Sequence, residues 1–119
     1  MSRIISVIFI CCLLLFNPTE LYASNDIAVF AGGCFWCLEH DLESVPGVIN
    51  VESGYSGGDL ANPTYLNHKG HQESVKVSFN SDKISYETLL RVYWRNIDPF
   101  NGEGQFCDIG DSYRPVIFT

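Results

Sequence analysis

The sequence is poor in basic residues. Its 119 residues contain seven Lys and Arg against 14 Asp and Glu, which gives a net charge of −7 at pH 7. Proteins that bind nucleic acid through phosphate contacts need clustered Lys and Arg, so we expect no nucleic acid partner. The chain also lacks internal repeats and low-complexity tracts. The length of the chain allows one small globular domain and no second one.

Long hydrophobic runs are also missing, and the one short run lies at the N-terminus. Arg3 supplies a basic start, residues 4–16 are almost continuously apolar, and an Asn-Pro pair follows before the small residues around Ala23. Spanning a bilayer takes roughly 20 apolar residues, so residues 1–23 are predicted to be a signal peptide. We therefore expect an exported protein, periplasmic or secreted, with a mature domain of residues 24–119. An uncleaved membrane anchor is the alternative.

Cysteine is scarce in the mature region, and its number there is odd. Residues 24–119 retain Cys34, Cys37 and Cys107. At least one of these thiols must stay outside any intramolecular disulfide, which argues against a purely structural disulfide framework. The count favours a reactive thiol.

Hydrophobic periodicity predicts six elements in residues 24–119. Three segments read as strands, because they are short apolar runs or alternate with a period of two: residues 27–31, 48–55 and 74–79. Apolar residues at helical spacing predict one helix from Cys34 to the Pro-Gly pair at 46–47, and another after a Ser85 cap. The expected apolar stripe of the second helix consists of Tyr86, Leu89, Leu90, Tyr93, Trp94 and Ile97.

A last strand is predicted to begin at Val116. The resulting order, β-α-β-β-α-β, predicts an α+β fold of the ferredoxin-like split type, with two helices on one face of an antiparallel sheet. The chain stops at Thr119 within an apolar run, so we expect the domain to be truncated there.

The clearest chemical signature lies where the first strand passes into the first helix, in Gly32-Gly33-Cys34-Phe35-Trp36-Cys37. Unpaired N–H groups and the dipole at a helix N-terminus favour a Cys34 thiolate. Cys37 lies one turn further on, within reach of an oxidised Cys34. Phe35 and Trp36 point in different directions on a helix and are candidate walls of an apolar pocket.

Less specific interpretations of this segment stay open. The two cysteines also fit buried apolar positions or a simple local disulfide, and the two aromatic residues fit ordinary core packing. Zinc bound by Cys34 and Cys37 with Cys107 or His71 is a further alternative, although a second Cys-x-x-Cys is missing.

Two later segments supply polar groups. Tyr65 lies in a long polar stretch and Glu73 just after it, while Asp108 and Tyr113 lie near the C-terminus. A carboxyl group whose pKa is raised by burial, together with tyrosine hydroxyls, would suit protonation of a leaving oxygen. Taken alone, a loop tyrosine and a strand-edge glutamate are more often surface residues.

These segments together resemble the A-type peptide methionine sulfoxide reductases. The resemblance covers the chain from about Ile27 to its end. It rests on these motifs in chain order: Gly33-Cys34-Phe35-Trp36, Gly54-Tyr55-Ser56-Gly57-Gly58, Asn62-Pro63-Thr64-Tyr65, Gly70-His71-Gln72-Glu73, Ile84-Ser85-Tyr86-Glu87 and Asp108-Ile109-Gly110-Asp111-Ser112-Tyr113-Arg114.

The resemblance implies reduction of methionine S-sulfoxide, free or in peptides, and thus repair of oxidised proteins. It implies that Cys34 attacks the sulfoxide sulfur while Phe35 and Trp36 hold the S-methyl group. Glu73 would protonate the oxygen, and Tyr65 with Tyr113 would hydrogen-bond it. Asp108 would help to organise the polar wall.

It further implies that Cys34 becomes a sulfenic acid, which a second cysteine converts into a disulfide. Cys37 and Cys107 are the internal candidates, and proximity in sequence favours Cys37. A thioredoxin-type dithiol would then reduce the disulfide. No metal or organic cofactor is implied, and we expect a monomer.

Two other functions remain as alternatives. A thioredoxin-like thiol-disulfide oxidoreductase also has Cys-x-x-Cys at a helix start, but there a tryptophan normally precedes the first cysteine, and the predicted element order differs. A metal-binding or interaction domain of the cell envelope without catalytic activity is the second alternative.

Overall fold

A computed structural model of the protein describes residues 24–119, so the predicted signal peptide lies outside the described residues. The elements are β1 (Asn25–Ala31), α1 (Phe35–Glu43), β2 (Val48–Ser56), β3 (Gln72–Asn80), α2 (Tyr86–Arg95), β4 (Gly104–Gln105), β5 (Asp108–Ile109), a 3₁₀ helix (Asp111–Tyr113) and β6 (Val116–Phe118). Neither α-helix of this region has the length and apolar character needed to cross a membrane.

Four of the strands form one antiparallel sheet in the order β2-β3-β1-β6. Strand β3 therefore lies between β2 and β1, and β6 closes the far edge beside β1. This is the ferredoxin-like arrangement that the element order predicted, and the prediction is confirmed. The short hairpin of β4 and β5 and the 3₁₀ helix are additions that the periodicity did not predict.

Both α-helices contribute to a single core on one face of this sheet. Alternation along β3 directs Val75, Val77 and Phe79 toward that face. Leu38 and Leu42 of α1 pack against the same layer. The core also contains Ala28, Phe30, Phe35, Val51, Ile84, Leu89, Tyr93 and Ile97.

The second helix begins where the sequence predicted, but its buried stripe is narrower. The Ser85 hydroxyl accepts a hydrogen bond from the backbone N–H of Thr88 at 3.1 Å, which confirms the cap. The predicted burial of Tyr86 and Trp94 is wrong, since their side chains are 40% and 46% exposed. Tyr86 is the first residue of the helix, and Trp94 lies about 100° around it from the buried Tyr93.

Candidate active site

Cys34 is held where β1 turns into α1. Gly33 has a φ of +85°, a conformation that favours glycine, and its N–H donates to the Tyr113 carbonyl at 3.2 Å. A Cβ atom on Gly33 would lie 2.8 Å from Cβ of Gln105. Cys34 itself is the N-cap residue of α1, and its carbonyl accepts the N–H of Leu38 at 3.3 Å. Its side chain is half-buried.

A cavity of about 220 Å³ opens beside this sulfur. The structure brings eight of the nine predicted site residues to its walls, from five different segments of the chain. They are Cys34, Phe35, Trp36, Cys37, Tyr65, Glu73, Asp108 and Tyr113. The remaining one, Cys107, is exposed and does not line this cavity.

Glu73 is the buried acid of the cavity. It lies in β3, inside the sheet, and only 2% of its surface is exposed, so the interpretation as a surface residue at a strand edge is wrong. Its Oε2 accepts the N–H of Phe35 at 3.1 Å. Desolvation raises the pKa of Glu73, although the Phe35 N–H and the nearby His68 act in the opposite direction; the charge of Asp108 adds to the increase. Protonated Glu73 is thereby favoured next to the sulfur.

Three aromatic rings form the apolar side of the cavity. Phe35 is buried in the core, whereas Trp36 is 60% exposed, as expected for adjacent residues of a helix. The rings of Trp36 and Tyr65 stack with a centroid distance of 5.8 Å and an angle of 11°. Phe35 lies 5.4 Å from Trp36 and 6.5 Å from Tyr65. The resulting apolar surface suits a methyl group bonded to sulfur.

Two tyrosines form the polar side together with Glu73. Tyr65 comes from the loop between β2 and β3, and Tyr113 from the 3₁₀ helix. Within residues 24–119, neither hydroxyl is bonded to another protein group. Desolvation, followed by the charges of Glu73 and Asp108, raises the pKa of Tyr113, so its hydroxyl keeps its proton. Both hydroxyls are therefore available to a ligand oxygen in the cavity.

The three described cysteines are free, and they differ in their surroundings. Cys37 shares the cavity with Cys34, and both residues also line a second, smaller cavity of about 60 Å³. Desolvation and then the Cys34 sulfur raise the pKa of Cys37, with further contributions from Asp41 and Asp108. Cys107 is exposed at the tip of the β4–β5 hairpin and lines neither cavity.

His71 and Gln105 hold the surroundings of the site in place. The ring of His71 accepts the N–H of Gly58 at 3.2 Å and donates to the Leu60 carbonyl at 3.0 Å, so both nitrogens are occupied by the loop. Among residues 24–119, no cluster of three His, Cys, Asp or Glu side chains surrounds a common point where a metal would bind. Gln105 had no predicted role, and it is buried. Its Oε1 accepts the N–H of Asp98 at 2.6 Å, and its Nε2 donates to the Asp98 carbonyl at 2.9 Å.

Residues 26–119 match the family described as peptide methionine sulfoxide reductase. The chain belongs to this family. The peptide methionine sulfoxide reductase MsrA 2 of Caulobacter vibrioides is 52% identical over 106 residues, which are 86% of this chain and 54% of the relative. The peptide methionine sulfoxide reductase MsrA of Limosilactobacillus reuteri is 54% identical over 100 residues, 81% of this chain and 57% of the relative.

Solved structures of the family share the fold. The methionine sulfoxide reductase A of Corynebacterium diphtheriae superimposes with a TM-score of 0.77 at 29% identity, over 80% of this chain and 47% of that one. Reduced Mxr1 from Saccharomyces cerevisiae superimposes with a TM-score of 0.73 at 25% identity, over 80% of this chain and 59% of that one. The chain spans just over half the length of the curated relatives that it matches.

Proposed function

We propose that this chain reduces methionine S-sulfoxide, free or within peptides, to methionine and so repairs oxidised proteins. One observation carries the proposal: the Cys34 sulfur and the buried carboxyl of Glu73 line one cavity that has an aromatic side and a phenolic side. A sulfoxide has the complementary parts, since its methyl group is apolar, its sulfur is electrophilic and its oxygen accepts hydrogen bonds. The similarity to the named reductases supports the same reaction.

The first step needs a nucleophile and an acid. The Cys34 sulfur attacks the sulfoxide sulfur, while Glu73 gives a proton to the oxygen and Tyr65 and Tyr113 donate hydrogen bonds to it. The attack forms a bond between the two sulfur atoms. The protonated oxygen then leaves the substrate sulfur as hydroxide and attacks the Cys34 sulfur, which breaks the bond between the sulfurs, releases methionine and leaves a sulfenic acid on Cys34. The substrate is reduced by two electrons, and the cysteine is oxidised by two. Asp108 borders the polar wall and adds to the negative charge that favours protonated Glu73.

The second step removes the sulfenic acid. The Cys37 thiol attacks the Cys34 sulfur, which releases water and leaves a disulfide between the two residues. Cys37 is favoured over Cys107 because it lines the cavity beside Cys34, whereas Cys107 is exposed outside it. A thioredoxin-type dithiol then reduces the disulfide and restores both thiols. We further propose that the enzyme acts as a monomer without a metal or organic cofactor.

The location proposed for this activity is outside the cytoplasm, in the periplasm or the medium. The support is the basic start and the short apolar run of residues 1–16. Fractionation of cells that express the full chain tests the proposal. Processed protein is expected in the periplasmic or extracellular fraction, and unprocessed protein that stays with the cytoplasm would contradict export.

Three serine substitutions test the chemical steps in the purified chain. Wild type is expected to turn over methionine S-sulfoxide continuously with a thioredoxin recycling system, and Cys34→Ser is expected to be inactive. Cys37→Ser should complete a single turnover and accumulate a sulfenic acid on Cys34, because its resolving thiol is missing. Labelling with dimedone and mass spectrometry detects that product.

Cys107→Ser is the matched control, since it removes an exposed thiol and should recycle like wild type. If Cys107→Ser stalls after one turnover while Cys37→Ser recycles, the assignment of the resolving thiol is wrong. If the chain reduces insulin disulfides but leaves methionine sulfoxide unchanged, the thioredoxin-like function replaces the one proposed.

A further inference from the structure

The tyrosine of the long loop reaches the cavity without support from regular structure. The loop occupies residues 57–71 between β2 and β3, and Tyr65 lies near its middle as an exposed residue, with 57% of its surface accessible. Stacking on Trp36 and Phe35 restrains the plane of this ring. Stacking alone allows a ring to slide, so it does not fix the position of the hydroxyl.

His68 provides directional contacts within the same loop. Its Nδ1 lies 2.9 Å from the carbonyl oxygen of Thr64, and its Nε2 lies 2.9 Å from Oγ of Ser112. A carbonyl oxygen only accepts, so Nδ1 must carry a proton and donate. The Ser112 hydroxyl both donates and accepts, and it therefore complements Nε2 in either protonation state.

The plane of the imidazole is fixed as well. It stacks on the ring of Tyr55 with a centroid distance of 4.7 Å and an angle of 19°. Tyr55 belongs to β2 and packs against Phe35 at 5.5 Å. His68 is thus held against the sheet on one face and bonded at both of its nitrogens.

The two bonded partners are the immediate neighbours of the two cavity tyrosines. Thr64 precedes Tyr65, and Ser112 precedes Tyr113, although the Ser112 contact joins residues 44 positions apart. One imidazole therefore connects the segments that carry both free hydroxyls. Among the described residues, no other side-chain hydrogen bond joins these two segments.

We propose that His68 is a positioning residue that sets the spacing of the Tyr65 and Tyr113 hydroxyls around the oxygen of the substrate. This role rests on the proposed function. The base of the loop is anchored separately, through the bonds of His71 to Gly58 and Leu60. Loss of His68 should therefore loosen the part of the loop that carries Tyr65, while the base of the loop keeps its attachment to the sheet.

The test uses His68→Phe and Ser112→Ala in the full chain. Phenylalanine keeps a flat ring for the stack on Tyr55 but removes both hydrogen bonds. The rate constant for oxidation of Cys34 by methionine sulfoxide, measured in a single turnover without reductant, should fall about 10- to 100-fold, as misplaced catalytic groups typically cost. Ser112→Ala removes one of the two bonds and should give a smaller loss of the same kind.

Pairing each substitution with Tyr65→Phe separates positioning from general damage. In the Tyr65→Phe background the Tyr65 hydroxyl is already absent, so His68→Phe can no longer displace it. The additional loss of rate caused by His68→Phe should therefore shrink to a few-fold or less. A rescue variant tests the same point. In His68→Asn the amide nitrogen is as far from Cβ as Nδ1 is in histidine, so this variant should recover part of the rate that His68→Phe loses.

His40→Phe is the matched control, because His40 is an exposed histidine of α1 that lies outside both cavities. It should react like wild type. The proposal is overturned if His68→Phe keeps the wild-type rate, or if its loss is undiminished in the Tyr65→Phe background. A wild-type chain that leaves Cys34 unoxidised by methionine sulfoxide would overturn the proposed function first, and the role of His68 with it.

Discussion

Replacing Glu73 by glutamine should separate the proton supply from the architecture of the site. The amide has the size of the carboxyl group, and its oxygen can still accept the Phe35 N–H that now binds Oε2 at 3.1 Å. The variant should therefore fold and keep its cavity. It lacks the acidic proton, and loss of a general acid typically costs 10²- to 10⁴-fold in rate, which is about 3 to 5 kcal/mol of transition-state stabilisation.

The pH dependence follows from the direction of the Glu73 shift. Burial raises the pKa of Glu73 above 4.5, so the folded chain holds this proton at pH values where the unfolded chain has released it. The associated stability is fully present below pH 4.5 and is lost as the pH rises through the raised pKa. Glutamine carries no such charge, so E73Q should equal or exceed the wild type in stability at pH 8.

Both effects are measurable with one pair of proteins. Stopped-flow oxidation of Cys34 by methionine sulfoxide between pH 5 and 9, without reductant, gives the rate, and thermal melts at pH 5 and 8 give the stability. The wild-type rate should decline on the alkaline side as Glu73 ionises, and that decline should be absent from the slow E73Q variant. A variant that reacts as fast as wild type would refute the assignment of Glu73 as the acid.

Two further predictions concern the scaffold. The Tyr93 hydroxyl donates to the buried Ala31 carbonyl at 2.6 Å, so Tyr93→Phe should lower the free energy of unfolding by about 1 kcal/mol at pH 8 in urea titrations. Burial raises the pKa of Tyr93 from 10.0 to about 12, so the wild type should lose stability between pH 10 and 12, whereas the phenylalanine variant should not lose this contribution. Equal changes in the free energy of unfolding of the two proteins over that range would contradict the prediction. Gly33→Ala should lower kcat/KM for the sulfoxide at least tenfold, because a side chain at φ +85° is strained and would meet Gln105 at 2.8 Å beneath Cys34. Gly54→Ala is the control, with no atom within 4 Å of its added Cβ, and equal losses in the two variants would refute the steric argument.

The sheet and its helices were predictable because their signals are local. Strand β3 alternates from Val75 to Phe79, and α2 starts at a serine cap. The β4–β5 hairpin gave no such signal. Each of its strands has two residues, and its turn places the non-glycine residue Phe106 at a φ of +55°, a conformation that the residue type does not indicate.

The position of Cys34 at the start of a helix was predictable, and the contacts that surround it were less so. Cys34 follows a strand and begins a helix, which is a pattern readable along the chain. The burial of Glu73 could have been inferred, since it falls in the same alternation as Val75 and Val77 on the core face of β3. The contacts of His68 with Ser112 depend on the tertiary fold, so no spacing in the sequence could indicate them.

The hydrogen bond between the Phe35 N–H and Glu73 also fixes how the site can move. It joins the peptide that follows Cys34 directly to a strand in the interior of the sheet. Small displacements of α1 should therefore carry Cys34 and Glu73 together, with their separation preserved. The exposed rings of Trp36 and Tyr65 contact each other by stacking, so we expect the aromatic side of the cavity to adjust to a bulky substrate more readily than the distance between Cys34 and Glu73 does.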